Sequence, residues 1–293
     1  MMQRHSQNAA LGAAAALFYV FLWASAYVPS KTGVLNSSPL WFLVVRFAVS
    51  GGVFLIVALA LGGKLPKAPR DWLAIVVLGV TSNAVYLGCT YEALRHMAAG
   101  IGAIVASTNP LVLAFVAPFL LRERLTPLKI AGLVMGFGGV VAIMIVRTGT
   151  GSAQPTDVLL AFIGVLGSVA GTIVFKKYCG DFDLRIVTAL QLVVAGIVLL
   201  PLAVVLEGAP HAIWGAPIVE SFLYVVIVMS VGASTLWFWL LTHGEASRVS
   251  AYYFLTPIFG LILAAVLLHE PVTARDLFGL AGIAVGIALV QRG

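Results

Sequence analysis

The chain has 293 residues, of which 61% are hydrophobic and only 10% charged, with a formal net charge of +6. A water-soluble domain averages about 25% charged residues, so there are too few here to clothe a solvated surface. That excludes an ordinary cytosolic enzyme, a nucleic-acid binder and a disordered tail.

A membrane-spanning helix needs roughly 20 mainly apolar residues. Ten such runs follow one another at about 10–30, 39–62, 72–92, 98–121, 128–147, 157–175, 186–206, 217–241, 248–268 and 276–291. Short connections carry the turn formers and charges, as in Gly62-Gly63-Lys64-Leu65-Pro66-Lys67 and Gly208-Ala209-Pro210. The runs do not alternate apolar with polar residues, so they predict helices and not barrel strands. In the first run, Arg4, His5 and the later Ala24-Ser25-Ala26 also have the pattern of a cleavable signal. An internal repeat, below, pairs that run with the sixth and favours its retention. Cys89 lies within a run and Cys179 near the end of one, which speaks against a disulfide framework.

With a cytoplasmic N-terminus, twelve basic residues fall on the inner side, and Lys31, Arg95, Arg147 and Arg275 on the outer. Twelve against four is a positive-inside bias. It places both termini in the cytoplasm of a cell (inner) membrane protein and independently requires an even number of crossings.

The two halves overlay. Asn109-Pro110, Glu123, Thr126, Gly132 and Gly139 fall on Thr256-Pro257, Glu270, Thr273, Gly279 and Gly286 at a constant offset of 147. Upstream, an offset of 145 sets Arg46 on Gln191 and Gly51 on Gly196. The expected division is 1–147 and 148–293. Five helices per half is an odd number, so the second copy enters the membrane the other way up, an inverted repeat of the kind many transporters use. The predicted fold is all-α and polytopic: ten transmembrane helices as two inverted five-helix repeats around a central cavity.

Two copies of Pro, Glu thirteen residues on and Thr-x-x-x-x-x-Gly, together with Trp23-Ala24-Ser25-Ala26-Tyr27 and Lys31, resemble the EamA-type domain of the drug/metabolite transporter superfamily. The resemblance covers nearly the whole chain. Among its members the chain looks most like the bacterial exporters of aromatic amino acids, the YddG-type group. It implies ten helices around a cavity that binds a small metabolite. The small multidrug members carry a glutamate inside the first helix for cation–proton exchange. None stands there here, which counts against proton-coupled drug export.

An ionised side chain inside a span is costly and marks a candidate site. Arg46 stands out, seven residues past Pro39. It is either a carboxylate or phosphate contact at the cavity mouth, since guanidinium binds such groups bidentately, or a side chain snorkelling to the interface. Gln191 is its repeat partner. Asn83 and Tyr86 share a helix face, as do Ser168 and Thr172, while Ser230, Ser234 and Trp237 form a stripe. Trp23, Tyr27, Asn109 and Tyr253 complete a lining set able to hydrogen-bond a zwitterion and stack on its side chain. Interhelical hydrogen bonding is the alternative for each of these residues singly. Pro110 and Pro257 are expected in mid-helix, as hinges or as static kinks. Glu123 and Glu270 suit helix ends.

No metal-ligand, nucleophile-elbow or nucleotide-loop motif occurs, so no enzymatic activity, cofactor or metal is expected. The partners expected are a small-molecule substrate, in the first place amino acids, and the bilayer. No nucleic acid or obligatory protein partner is implied. The function expected is secondary transport of neutral and aromatic amino acids by alternating access, without obligatory proton coupling. Carriage of a nucleotide sugar, nucleoside or drug, and a passive channel, are the alternatives.

Overall fold

A computed structural model describes residues 2–97, 99–122, 126–147, 154–267 and 274–293. Among the described residues the elements are helical, and one isolated antiparallel bridge joins Ser37 to Ala212. The helices are α1 (Met2–Ser25), α2 (Tyr27–Asn36), α3 (Pro39–Ala60), α4 (Pro69–Gly79), α5 (Tyr86–Leu94), α6 (Ala99–Ala106), α7 (Asn109–Leu120) and α8 (Pro127–Arg147), followed by α9 (Pro155–Val174), α10 (Leu184–Glu207), α11 (Ala216–Leu223), α12 (Ser234–His243), α13 (Ala246–Ala251), α14 (Thr256–Leu267) and α15 (Ala274–Arg292). π-helical stretches at Val80–Val85 and Tyr224–Ala233 join α4 to α5 and α11 to α12.

Six segments are long and apolar enough to cross a bilayer by length and composition: Gly12–Asn36, Pro39–Ala60, Pro69–Leu94, Pro155–Cys179, Leu184–Glu207 and Ala216–His243. Helices also occupy the other four predicted runs. Large apolar side chains cover the outside, with Phe115 73% and Val205 79% exposed. Such a surface would be an aggregation hazard in water and matches hydrocarbon in lipid.

Helix starts follow local chemistry. Pro39, Pro69 and Pro155 open α3, α4 and α9, where the missing N–H of proline costs nothing. Asp183 caps α10: its carboxylate accepts from the Arg185 backbone N at 3.0 Å and from Arg185 Nη2 at 2.7 Å. The hydrogen bonds from Arg185 hold that carboxyl below its usual value. Asp183→Ala is therefore expected to lower stability by about 1 kcal/mol at neutral pH. A depressed carboxyl stabilises above the unfolded value, about 3.9, and loses this as pH falls through the folded value. The gap between wild type and variant in thermal unfolding should close at acid pH; a constant gap would contradict this.

Two expectations need correction. Pro110 does not kink a continuous helix: α6 ends at Ala106, and α7 restarts at Asn109 with Pro110 in its first turn. Pro257 likewise follows Thr256 at the start of α14, after a 3-10 turn at Tyr252–Leu255. At a helix start neither proline breaks an established hydrogen-bond ladder. Glu123 and Glu270 lie outside the described residues.

Packing brings repeat-related helices together. α3 lies against α10, and α8 against α15. The Glu207 carboxylate, at the end of α10, accepts from the backbone N–H groups of Leu40 (3.0 Å) and Trp41 (3.1 Å) at the start of α3. Orphan donors at a helix N-terminus favour such an anion. Lys31 Nζ donates to the Met97 carbonyl and Lys176 Nζ to the Gly244 carbonyl. These residues stand 145 and 147 positions apart, so the two contacts are images of each other. In the α8–α15 seam the backbones of Gly132 and Gly136 come against Gly286, closer than a side chain would allow.

Candidate binding cavity

α1 places Tyr19 and Trp23 one turn apart on an inward face. α5 brings Tyr86, α12 brings Trp237, and the 3-10 turn before α14 brings Tyr253. The five rings wall a cavity of about 490 Å³ that also takes in Arg46, Ser82, Asn83, Ser168, Gln191 and Ser234, with Leu87, Met229 and Phe238 as apolar filling. A volume of this order suits a small metabolite.

The rings brace one another. Trp23 stacks on Tyr86 at 5.7 Å between centroids and 10° between planes. Tyr19 stacks on Trp237 at 5.1 Å. The hydroxyls of Tyr19 and Tyr253 are hydrogen-bonded at 2.6 Å.

The polar groups form two cross-links. Arg46 Nε donates to Ser230 Oγ at 2.8 Å, and Asn83 Nδ2 donates to Gln191 Oε1 at 2.8 Å. Arg46 and Gln191 are 145 apart; Asn83 and Ser230 are 147 apart and both lie in π-helical stretches. The links are thus images under the internal repeat, one cationic and the other neutral. π-helical turns are frequent at functional sites, where they re-aim side chains.

Arg46 does not snorkel. It is 5% exposed, and Nη1 donates to Tyr91 Oη at 2.8 Å. Tyr91 Oη is also bonded to Ser30 Oγ. The guanidinium carbon lies 5.5 Å from the Phe47 ring centroid and 5.9 Å from that of Tyr91, within cation–π range. Among the described residues no carboxylate pairs with it.

Of the residues singled out in the sequence, Trp23, Arg46, Asn83, Tyr86, Ser168, Gln191, Ser234, Trp237 and Tyr253 line this cavity. Tyr27 lines a second one of about 350 Å³, with Ser30, Thr90 and Tyr91, which shares Trp23, Arg46, Tyr86, Leu87 and Met229 with the first. Asn109 and Thr172 stand behind the wall. Asn109 Nδ2 donates to Ser168 Oγ at 3.0 Å, and Thr172 Oγ1 to the Ser168 carbonyl at 3.1 Å, so both position Ser168. Tyr19 and Ser82 escaped the sequence reading, although Tyr19 extends the Trp23–Tyr27 stripe by one turn and Ser82 adjoins Asn83. Leu87, Met229 and Phe238 carry no signal in so apolar a chain.

This arrangement can stack on a planar ligand and hydrogen-bond its polar end. Comparison with known proteins agrees with a carrier architecture. The model of the EamA-like transporter family matches twice, over residues 10–145 and 156–292. The chain belongs to that family and is a multi-pass membrane protein of the transporter class. It is 29% identical to the uncharacterized transporter YvbV of Bacillus subtilis, over 94% of this chain and 89% of the relative. It is 25% identical to a protein of Salmonella typhimurium named "Probable amino-acid metabolite efflux pump", over 93% and 92%. It is 24% identical to protein PecM of Dickeya dadantii, over 92% and 89%. A solved crystal structure of 21% identity superposes with a TM-score of 0.77, covering 98% of this chain and 97% of that one, and shows the same fold.

Proposed function

We propose that the chain is a secondary carrier of neutral and aromatic amino acids, moved outward across the cell (inner) membrane. In this reading residues 1–147 and 148–293 are inverted five-helix repeats, ten helices cross the membrane, and both termini are cytoplasmic. The halves rock about the cavity, with helix restarts at Pro110 and Pro257 as the flexing points. The supporting observation is the aromatic cavity, whose amide and hydroxyl groups come from both halves and cross-link them in image-related pairs. The name of the Salmonella relative supports an amino-acid metabolite as cargo.

Neither cavity is lined by Asp or Glu. With no acid there to carry a proton, transport runs down the substrate gradient alone. Proteoliposomes holding the purified protein, with no pH or sodium gradient, are expected to take up labelled phenylalanine saturably. Uptake that appears only with a proton gradient would refute uncoupled transport. Flux that rises linearly at high concentration would indicate a channel.

A further inference from the structure

We infer that the cavity recognises a carboxylate and does not require an amine, so that aromatic monocarboxylates are its preferred ligands; this rests on the carrier reading above and narrows it. Arg46 is the one ionised side chain lining either cavity. Two of its nitrogens are committed to the neutral oxygens of Ser230 and Tyr91, and among the described residues nothing accepts from Nη2. Trp23 lines both cavities, and its Nε1 is buried without an acceptor.

Indole and guanidinium nitrogens can only donate. Two surplus donors and an uncompensated buried cation call for a ligand that brings acceptor oxygens and negative charge. A carboxylate supplies both, and the stacked rings of Trp23 and Tyr86 offer a face for an aromatic group beside it.

An ammonium finds no counterpart. No acid lines the site, and much of the acceptor capacity is spent internally: Gln191 Oε1 on Asn83, the Tyr19 and Tyr253 hydroxyls on each other. It would also lie in the same small cavity as the guanidinium, where like charges repel and screening is weak. A monoanion neutralises the site, whereas a zwitterion leaves it with a net positive charge and must desolvate its ammonium without an anion.

The test uses three ligands with one ring: 3-phenylpropanoate (carboxylate only), phenylalanine (both groups) and 2-phenylethylamine (amine only). Binding to the purified full-length protein is read from its tryptophan fluorescence near neutral pH. The carboxylate-only ligand is expected to bind about tenfold tighter than the amine-only ligand, the scale of one charge-assisted hydrogen bond, and tighter than phenylalanine. Arg46→Gln should level the three affinities. If that variant fails to fold, the wild-type ranking decides alone. Equal or tighter binding of 2-phenylethylamine, or phenylalanine outranking 3-phenylpropanoate, overturns the inference. Saturable phenylalanine uptake with that reversed ranking leaves the carrier reading standing. The expected ranking without phenylalanine uptake upholds the inference and removes the amino acid as cargo. Absence of binding by all three overturns both.

Discussion

Alanine at position 46 is expected to reduce saturable transport about 10- to 100-fold, the range for losing hydrogen bonds to a charged group. The substitution removes the links to Ser230 and Tyr91 and the one charge in the cavity. Stability should move the other way. The guanidinium is desolvated without an anionic partner, and removing such a charge is neutral or favourable to folding. The unfolding midpoint in detergent is therefore expected to hold or rise while transport collapses. Tyr91→Phe keeps the charge and the Ser230 link and loses one hydroxyl, so it should cost less, about threefold to tenfold. Wild-type transport by the alanine variant would show that Arg46 serves only the packing of α3.

Valine at position 286 is expected to unseat α15 from α8. A β-carbon placed on Gly286 lies 2.5 Å from the Gly136 nitrogen and 2.6 Å from the Gly132 carbonyl oxygen. These are backbone atoms and cannot rotate aside, so the helices must separate. Overpacking typically costs about 1–3 kcal/mol, and a seam of small residues between lipid-embedded helices relies on close approach for its attraction. A lower unfolding midpoint and a poor yield of monodisperse protein are the expected readouts. Gly138→Ala is the control on α8. A β-carbon there meets nothing within 4 Å, and alanine is the better helix former by about 1 kcal/mol. It should be neutral or mildly stabilising. Equal behaviour of the two variants would show that the seam bears no load.

The membrane segments were legible because hydrocarbon accepts only long uninterrupted apolar stretches with internally satisfied backbones. The seam at Gly132 and Gly286 was foreshadowed by their place in the repeated pattern. Polar and aromatic residues such as Asn83, Gln191 and Trp237 stood out for the same reason that Leu87 and Met229 did not: an apolar background reveals the exception and hides the rule. The pairing of Arg46 with Ser230 was not legible, because it depends on two helices meeting 184 positions apart in the chain. The restart at Asn109 was written in the sequence as a polar residue followed by proline, the usual opening of a helix. Continuous hydropathy masked it and suggested a kink in one long helix. Nothing in local composition announced the π-helical stretches that carry Asn83 and Ser230.

The unequal cross-links have an electrical consequence. A fixed positive charge held inside an insulating slab feels the transmembrane voltage, and carrying it across the whole field is worth about 2.3 kcal/mol per 100 mV. Gln191 and Asn83, the uncharged image of Arg46 and Ser230, supply no counterweight. Any rocking that shifts Arg46 along the bilayer normal is therefore tilted by the resting potential, and an energised cell would weight the protein's two openings unequally even when solute is equal on both sides.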